Sequence, residues 1–140
     1  MSVLVVDASV WVSAADSSDA FHAASRAFLR SAVSRRQRFV LPAFARLEIA
    51  CALARRLQNA TRGRALATTL VTSPLVVEQQ LDHDFLQEAL ERGTGALLRG
   101  SDALYATAAA KVGGTLITWD KELLRRAHGK RPTDWTEEEG

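Results

Sequence analysis

Hydrophobic positions along this chain come in two patterns, short unbroken runs and longer stretches with helical spacing, and the two alternate. Val3-Leu4-Val5-Val6 is a continuous apolar run of the kind that forms a buried strand. Segments 38–41, 75–77 and 115–118 repeat that pattern and predict three further strands. Between them, Phe21, Ala24, Ala27, Phe28 and Val33 recur at helical spacing and predict an amphipathic helix to about residue 34. Phe44, Leu47, Cys51, Ala54 and Leu57 hold the rhythm of a helix over 42–58, with Pro42 in its first turn. Less regular patterns predict helices over 8–15, 61–72, 82–91, 102–112 and 121–127, with Gly63 counting against the second of these. Gly93-Thr94-Gly95 and Gly113-Gly114 read as breaks, 16–19 as a loop, and Ser101 as the N-cap of the helix that Asp102 opens.

Strands that alternate with helices in this way predict an α/β fold: a short central parallel sheet of about four or five strands, joined by right-handed crossovers and flanked by helices. There is no internal repeat and no linker, so residues 1–128 are expected to form one domain, with 129–140 as its tail, mobile towards the end. A hydrophobic fraction of 47% and a charged fraction of 24% are those of an ordinary globular protein. No apolar run approaches the roughly 18 residues of a membrane span, and the N-terminus lacks the basic region of a signal peptide. The single Cys51 excludes an internal disulfide and is expected to pack as a small hydrophobe. These features together favour a cytoplasmic protein.

Charge changes the picture. The net charge of +2 conceals ten arginines between Ala24 and Leu66 against one acid, Glu48, and five acids without a basic residue between Glu78 and Glu91. An arginine-rich half is either a solvated helical surface or a face that attracts a polyanion.

Four acids stand where the apolar runs meet helices: Asp7, Glu48, Asp102 and Asp120. In an open α/β sheet the carboxyl ends of the strands line one crevice, so carboxylates scattered over a hundred residues can converge there. Clustered carboxylates repel unless a cation sits among them, and hard oxygen donors suit Mg²⁺ or Mn²⁺. That combination points to metal-dependent phosphodiester chemistry. Asp7, Asp102 and Asp120 each also read as helix caps or first-turn acids. Glu48 has no local cation on its helix, with Phe44, Ala45, Cys51 and Ala52 as neighbours, so its charge needs compensation from elsewhere. His22, His83 and His128 share no ligand spacing, so no zinc site is expected. No nucleophile elbow and no phosphate-binding loop is present. Trp119, beside Asp120, is expected to pack in the core or at its rim.

Val5-Val6-Asp7-Ala8-Ser9-Val10 resembles the opening motif of PIN-domain proteins. Arg46-Leu47-Glu48-Ile49-Ala50 resembles their second motif, a glutamate within a helix, and Ser101-Asp102-Ala103-Leu104-Tyr105-Ala106-Thr107-Ala108 their third. Thr115-Leu116-Ile117-Thr118-Trp119-Asp120 is similar to the fourth, with a hydroxyl residue two before the aspartate. Order and spacing agree over about residues 3 to 127, and the small size resembles the VapC-type toxins of bacterial toxin–antitoxin pairs. The resemblance implies a Mg²⁺- or Mn²⁺-dependent endoribonuclease, usually dimeric and restrained by a cognate antitoxin. It implies that Asp7, Asp102 and Asp120 hold the metal and that Glu48 completes the catalytic pocket directly or through water. The substrate would be RNA, with tRNA or another structured RNA among the candidates. Trp11, Phe21 and Phe28 are a candidate surface for the antitoxin, although core packing is the expectation for all three.

Two other functions compete. A binding module without catalysis would use the same arginines to hold nucleic acid or a protein. A phosphoacceptor signalling domain also places aspartates at strand ends, but Asp7 is unpaired and Val76-Val77 is followed by Glu78, so its pattern is not met.

Overall fold

The computed structural model describes residues 3–136. Four strands, β1 (Val3–Val6), β2 (Arg38–Pro42), β3 (Val76–Gln79) and β4 (Thr115–Ile117), form one sheet in the order β3-β2-β1-β4, parallel throughout. This is the expected α/β fold with its short parallel sheet. Around it lie α1 (Ala8–Ala15), α2 (His22–Ser34), α3 (Ala45–Leu57), α4 (Ala60–Val71), α5 (His83–Gly95), α6 (Gly100–Val112) and α7 (Lys121–Arg126).

The chain leaves β1 to build β2 and β3 on one side, and adds β4 on the other side only after α6. Strand order therefore reverses between β1 and β4, and the carboxyl ends of these two strands open the crevice where α/β proteins bind ligands. The register Val6↔Ile117, extended by a 2.9 Å bond from the Asp7 N–H to the Ile117 carbonyl, brings residues 7 and 118–120 together. Leu4, Val5, Val6, Phe39, Leu41, Leu116 and Ile117 are buried, as strands covered on both faces must be. β3 is an edge strand, and Val77 and Glu78 face solvent.

Several local expectations change. Pro42 ends β2 rather than opening α3, which starts at Ala45. β1 pairs only with Arg38 and Phe39, so the side on which proline lacks an N–H has no ladder bond to lose at residue 42. Gly93 and Gly95 lie within α5 instead of breaking it. A Cβ at Gly93 would stand 2.6 Å from the Ala103 Cβ, so glycine serves the close approach of α5 to α6. α6 starts at Gly100, one residue ahead of Ser101, and its cap residue Arg99 makes no side-chain cap bond. Cys51 is exposed, not packed. β3 runs two residues further than the apolar run, to Gln79, because β2 pairs with it as far as Pro42.

The described part of the tail, residues 129–136, packs against the domain. Lys130 bridges the outer edge of β4, its N–H donating to the Leu116 carbonyl and its carbonyl accepting from the Thr118 N–H. A short 3-10 turn, Pro132–Asp134, then sets Trp135 edge-on against Phe28, with ring centroids 5.5 Å apart. Glu137 to Glu139 lie outside the described residues.

Gly63 faces α3 so closely that a Cβ would stand 2.7 Å from the Ala54 backbone nitrogen. Backbone cannot rotate away as a side chain can. Gly63→Ala gains about 1 kcal/mol of helix propensity but meets an overpacking cost of about 1–3 kcal/mol. The expected outcome is net destabilisation and a melting temperature several degrees lower by circular dichroism. A variant more stable than wild type would contradict this packing.

Candidate active site

Asp7 follows β1 directly and caps α1 from an extended backbone conformation. Its Oδ2 accepts from the Ser9 hydroxyl at 2.7 Å, from the Ser9 N–H at 3.4 Å and from the Thr118 hydroxyl at 2.9 Å. The carboxylate is 7% exposed, and burial pushes its pKa up, opposed by these bonds and reinforced by the Asp102 charge. Thr118 Oγ1 in turn accepts from the Asp120 N–H at 2.9 Å, and Ser9 Oγ accepts from the Trp119 N–H at 3.1 Å. The β1 and β4 ends are thus joined through two hydroxyls.

Asp120 caps α7, with Oδ1 accepting from the Glu122 and Leu123 N–H groups at 2.8 and 3.1 Å. Its Oδ2 meets Arg99 Nη2 at 2.7 Å, while Arg99 Nε meets Asp102 Oδ2 at 2.9 Å. Asp102 lies in the first turn of α6, where the helix dipole favours an anion. It is buried, and desolvation raises its pKa even with Arg99 lowering it. Glu48, in the first turn of α3, is half-buried and accepts from the Tyr105 hydroxyl at 2.8 Å. Burial raises the Glu48 pKa, and the Asp7 and Asp102 charges push it further. Tyr105, wholly buried, has its phenol pushed well up by burial and by the Glu48 charge.

The four acids expected from the sequence therefore share one electrostatic neighbourhood, delivered by four separate elements. Capping and charge clustering are not alternatives here: Asp120 uses one oxygen for the helix and presents the other to Arg99. Among the described residues, no three carboxylate, imidazole or thiol side chains close tightly enough to enclose an ion. The donor set is nonetheless hard oxygen, which suits Mg²⁺ or Mn²⁺, and the guanidinium on Asp102 and Asp120 marks a place where positive charge is favoured.

Arg99 and Tyr105 escaped the sequence reading. Both carried a signal: Arg99 is three residues before Asp102, a helical ion-pair spacing, and Tyr105 puts a polar tip in an alanine-rich helix. Trp119 is half-buried at the rim, stacked on Phe21 at 4.1 Å and donating its indole N–H to Ser25 Oγ at 2.8 Å. Of the three aromatics offered as a docking surface, Trp11 and Phe28 are buried and only Phe21, 45% exposed, reaches solvent. All ten arginines between residues 24 and 66 are exposed, and Arg56 pairs with Asp16 and Asp19 at 3.0 and 2.7 Å.

The PIN domain family pattern matches residues 4–129. Among solved structures, the chain is similar to VapC20 of Mycobacterium tuberculosis, a sarcin-ricin loop cleaving toxin, with a TM-score of 0.73, 20% identity and coverage of 87% of this chain and 93% of that one. It is similar to VapBC2 of Rickettsia felis, solved with a DNA fragment from its promoter, with a TM-score of 0.69, 11% identity and coverage of 91% and 95%. PAE2754 of Pyrobaculum aerophilum gives a TM-score of 0.64 at 24% identity, covering 93% and 83%. No curated protein matches the chain.

The raised carboxylates fix a pH dependence. Asp7, Asp102 and Glu48 have ordinary pKa values of 3.8, 3.8 and 4.5 and are raised in the folded state. The folded protein thus binds more protons, and stability rises as pH falls through the folded pKa values towards the ordinary ones. Asp16 acts oppositely: lowered to about 2 by Ser18 and Arg56, its contribution is present above 3.8 and lost as pH falls towards 2. Metal-free protein should therefore melt higher as pH is lowered from neutrality towards the ordinary carboxylate values, and Asp7→Asn should flatten that slope. A wild-type melting temperature that only falls with acidification would contradict the clustering.

Proposed function

Because the chain belongs to the PIN-domain family, we propose that it is a metal-dependent endoribonuclease and the toxin of a toxin–antitoxin pair. One observation carries the reading: Asp7, Glu48, Asp102 and Asp120 converge at the point where strand order reverses, with Arg99 supplying positive charge to two of them. The likeness to VapC20 and VapBC2 supports the toxin assignment.

Asp7, Asp102 and Asp120 would hold the ion, with Glu48 completing the pocket directly or through water. A bound Mg²⁺ or Mn²⁺ supplies an acidified water and positive charge against the phosphate oxygens. Tyr105 holds Glu48 by Oε1, which leaves Oε2 to accept a proton from the attacking water; a carboxylate with a raised pKa is suited to that role. Water attack in this manner leaves a 5′-phosphate and a 3′-hydroxyl and makes no use of the RNA 2′-hydroxyl. The exposed arginines of α2, α3 and α4 would hold flanking phosphates, which orient the strand without specifying its sequence. Restraint would come from a cognate antitoxin, and the family resemblance supports a homodimer. No helix among the described residues is long and apolar enough to cross a membrane.

The test is cleavage of a panel of single-stranded RNA, tRNA and matched DNA with Mg²⁺ or Mn²⁺, beside EDTA and Asp102→Asn. RNA cutting should fall at least about a hundredfold in both controls. Cutting that persists in Asp102→Asn would place the site elsewhere. RNA binding without cutting, indifferent to both controls, would instead establish the non-catalytic module.

A further inference from the structure

Arg99 stands in the turn between α5 and α6, and its guanidinium spans carboxylates from two different elements. Nε lies 2.9 Å from Asp102 Oδ2 and Nη2 lies 2.7 Å from Asp120 Oδ2. Those are two of the three carboxylates assigned to the ion. The Arg99 side chain is 65% exposed, so the two ion pairs hold it in place and packing contributes little. The carboxylate ends are covered, but the guanidinium end faces water, so solvent screens each pair from that side. A guanidinium cannot shed its charge. It and a divalent ion therefore cannot share Asp102 and Asp120 without mutual repulsion, and one must give way.

We propose that Arg99 is a movable cation that holds Asp102 and Asp120 in the metal-free protein, releases them when a divalent ion binds, and then binds a phosphate of the RNA. This rests on the nuclease reading of the same site. The long stem lets the guanidinium leave both carboxylates while staying beside them, where an RNA phosphate presents paired oxygens that a planar fork matches. The same residue thereby serves as a placeholder for the ion and as a phosphate-binding residue next to it.

Two binding measurements on the whole chain test this without cleavage. Arg99→Gln keeps a polar side chain of similar length, and the position is exposed and makes no side-chain cap bond, so the fold should persist. Calorimetric titration with Mn²⁺ alone should show roughly three- to thirtyfold tighter binding in Arg99→Gln, because the competing cation is gone. Arg99→Lys, which keeps the charge, should stay near wild type. Binding of a short single-stranded RNA with Ca²⁺ in place of Mn²⁺ should weaken several-fold in Arg99→Gln, with a salt dependence shallower by about one ion. Unchanged or weaker Mn²⁺ binding in Arg99→Gln would overturn the competition. Unchanged RNA binding would overturn the phosphate role. Absence of Mn²⁺ binding in wild type and variant alike would overturn the metal site itself, a failure visible before any RNA is added.

Discussion

A buried carboxylate at the end of a central strand is the constraint around which this molecule is arranged. Asp7 sits where β1 ends, nearly out of solvent, and a charge there is costly unless donors meet it. The Ser9 and Thr118 hydroxyls both donate to its Oδ2. Because both hydroxyls also accept backbone N–H groups from residues 119 and 120, satisfying Asp7 fixes how the β4 end and the start of α7 sit against α1. The site and the fold are secured by the same few bonds.

Around that point the protein accumulates further negative charge. Glu48 feels the charges of Asp7 and Asp102, Asp7 that of Asp102, and Asp102 those of Asp120 and Glu122, and with burial all three are pushed towards protonation. A protein selected for stability alone would have little reason to gather them. Their persistence in a crevice at a strand-order reversal is the pattern of a site whose electrostatics are completed by something bound. Arg99 lessens the strain at Asp102 and Asp120, but it is exposed and reaches neither Asp7 nor Glu48 by any hydrogen bond.

The frame that holds these groups is close-packed. Gly63 and Gly93 let helix pairs approach closer than a methyl group permits. A polar chain, from the Trp119 indole to Ser25 and on to Ser13, with hydroxyls 2.6 Å apart, links the rim of the site to the interface of α1 and α2. Arg56 clamps the loop after α1 to α3 through Asp16 and Asp19, two acids that the sequence alone placed only in a loop. The charge-bearing helices are thereby held at defined positions, which a site dependent on several carboxylates requires.

The sequence by itself determined the elements and the acids. Short continuous valine- and leucine-rich runs bounded by turn residues read as strands, helical spacing names the helices between them, and an aspartate after a strand is visible wherever it stands. Boundaries set by a partner were illegible: β3 extends to Gln79 and β2 absorbs Pro42 because each strand pairs with the other, and no local pattern encodes that pairing. Gly113 ends α6 as the sequence suggests, but Gly63 and Gly93 are contact residues inside helices, and the neighbour each one meets lies some ten residues away along the chain, on another helix. Only the tertiary structure decided that Asp7 and Thr118 bond across 111 residues, that Tyr105 holds Glu48, and that Arg99 spans Asp102 and Asp120. The reason is physical: residue type and spacing fix local geometry, whereas convergence depends on strand order, and strand order is settled by how the whole core packs.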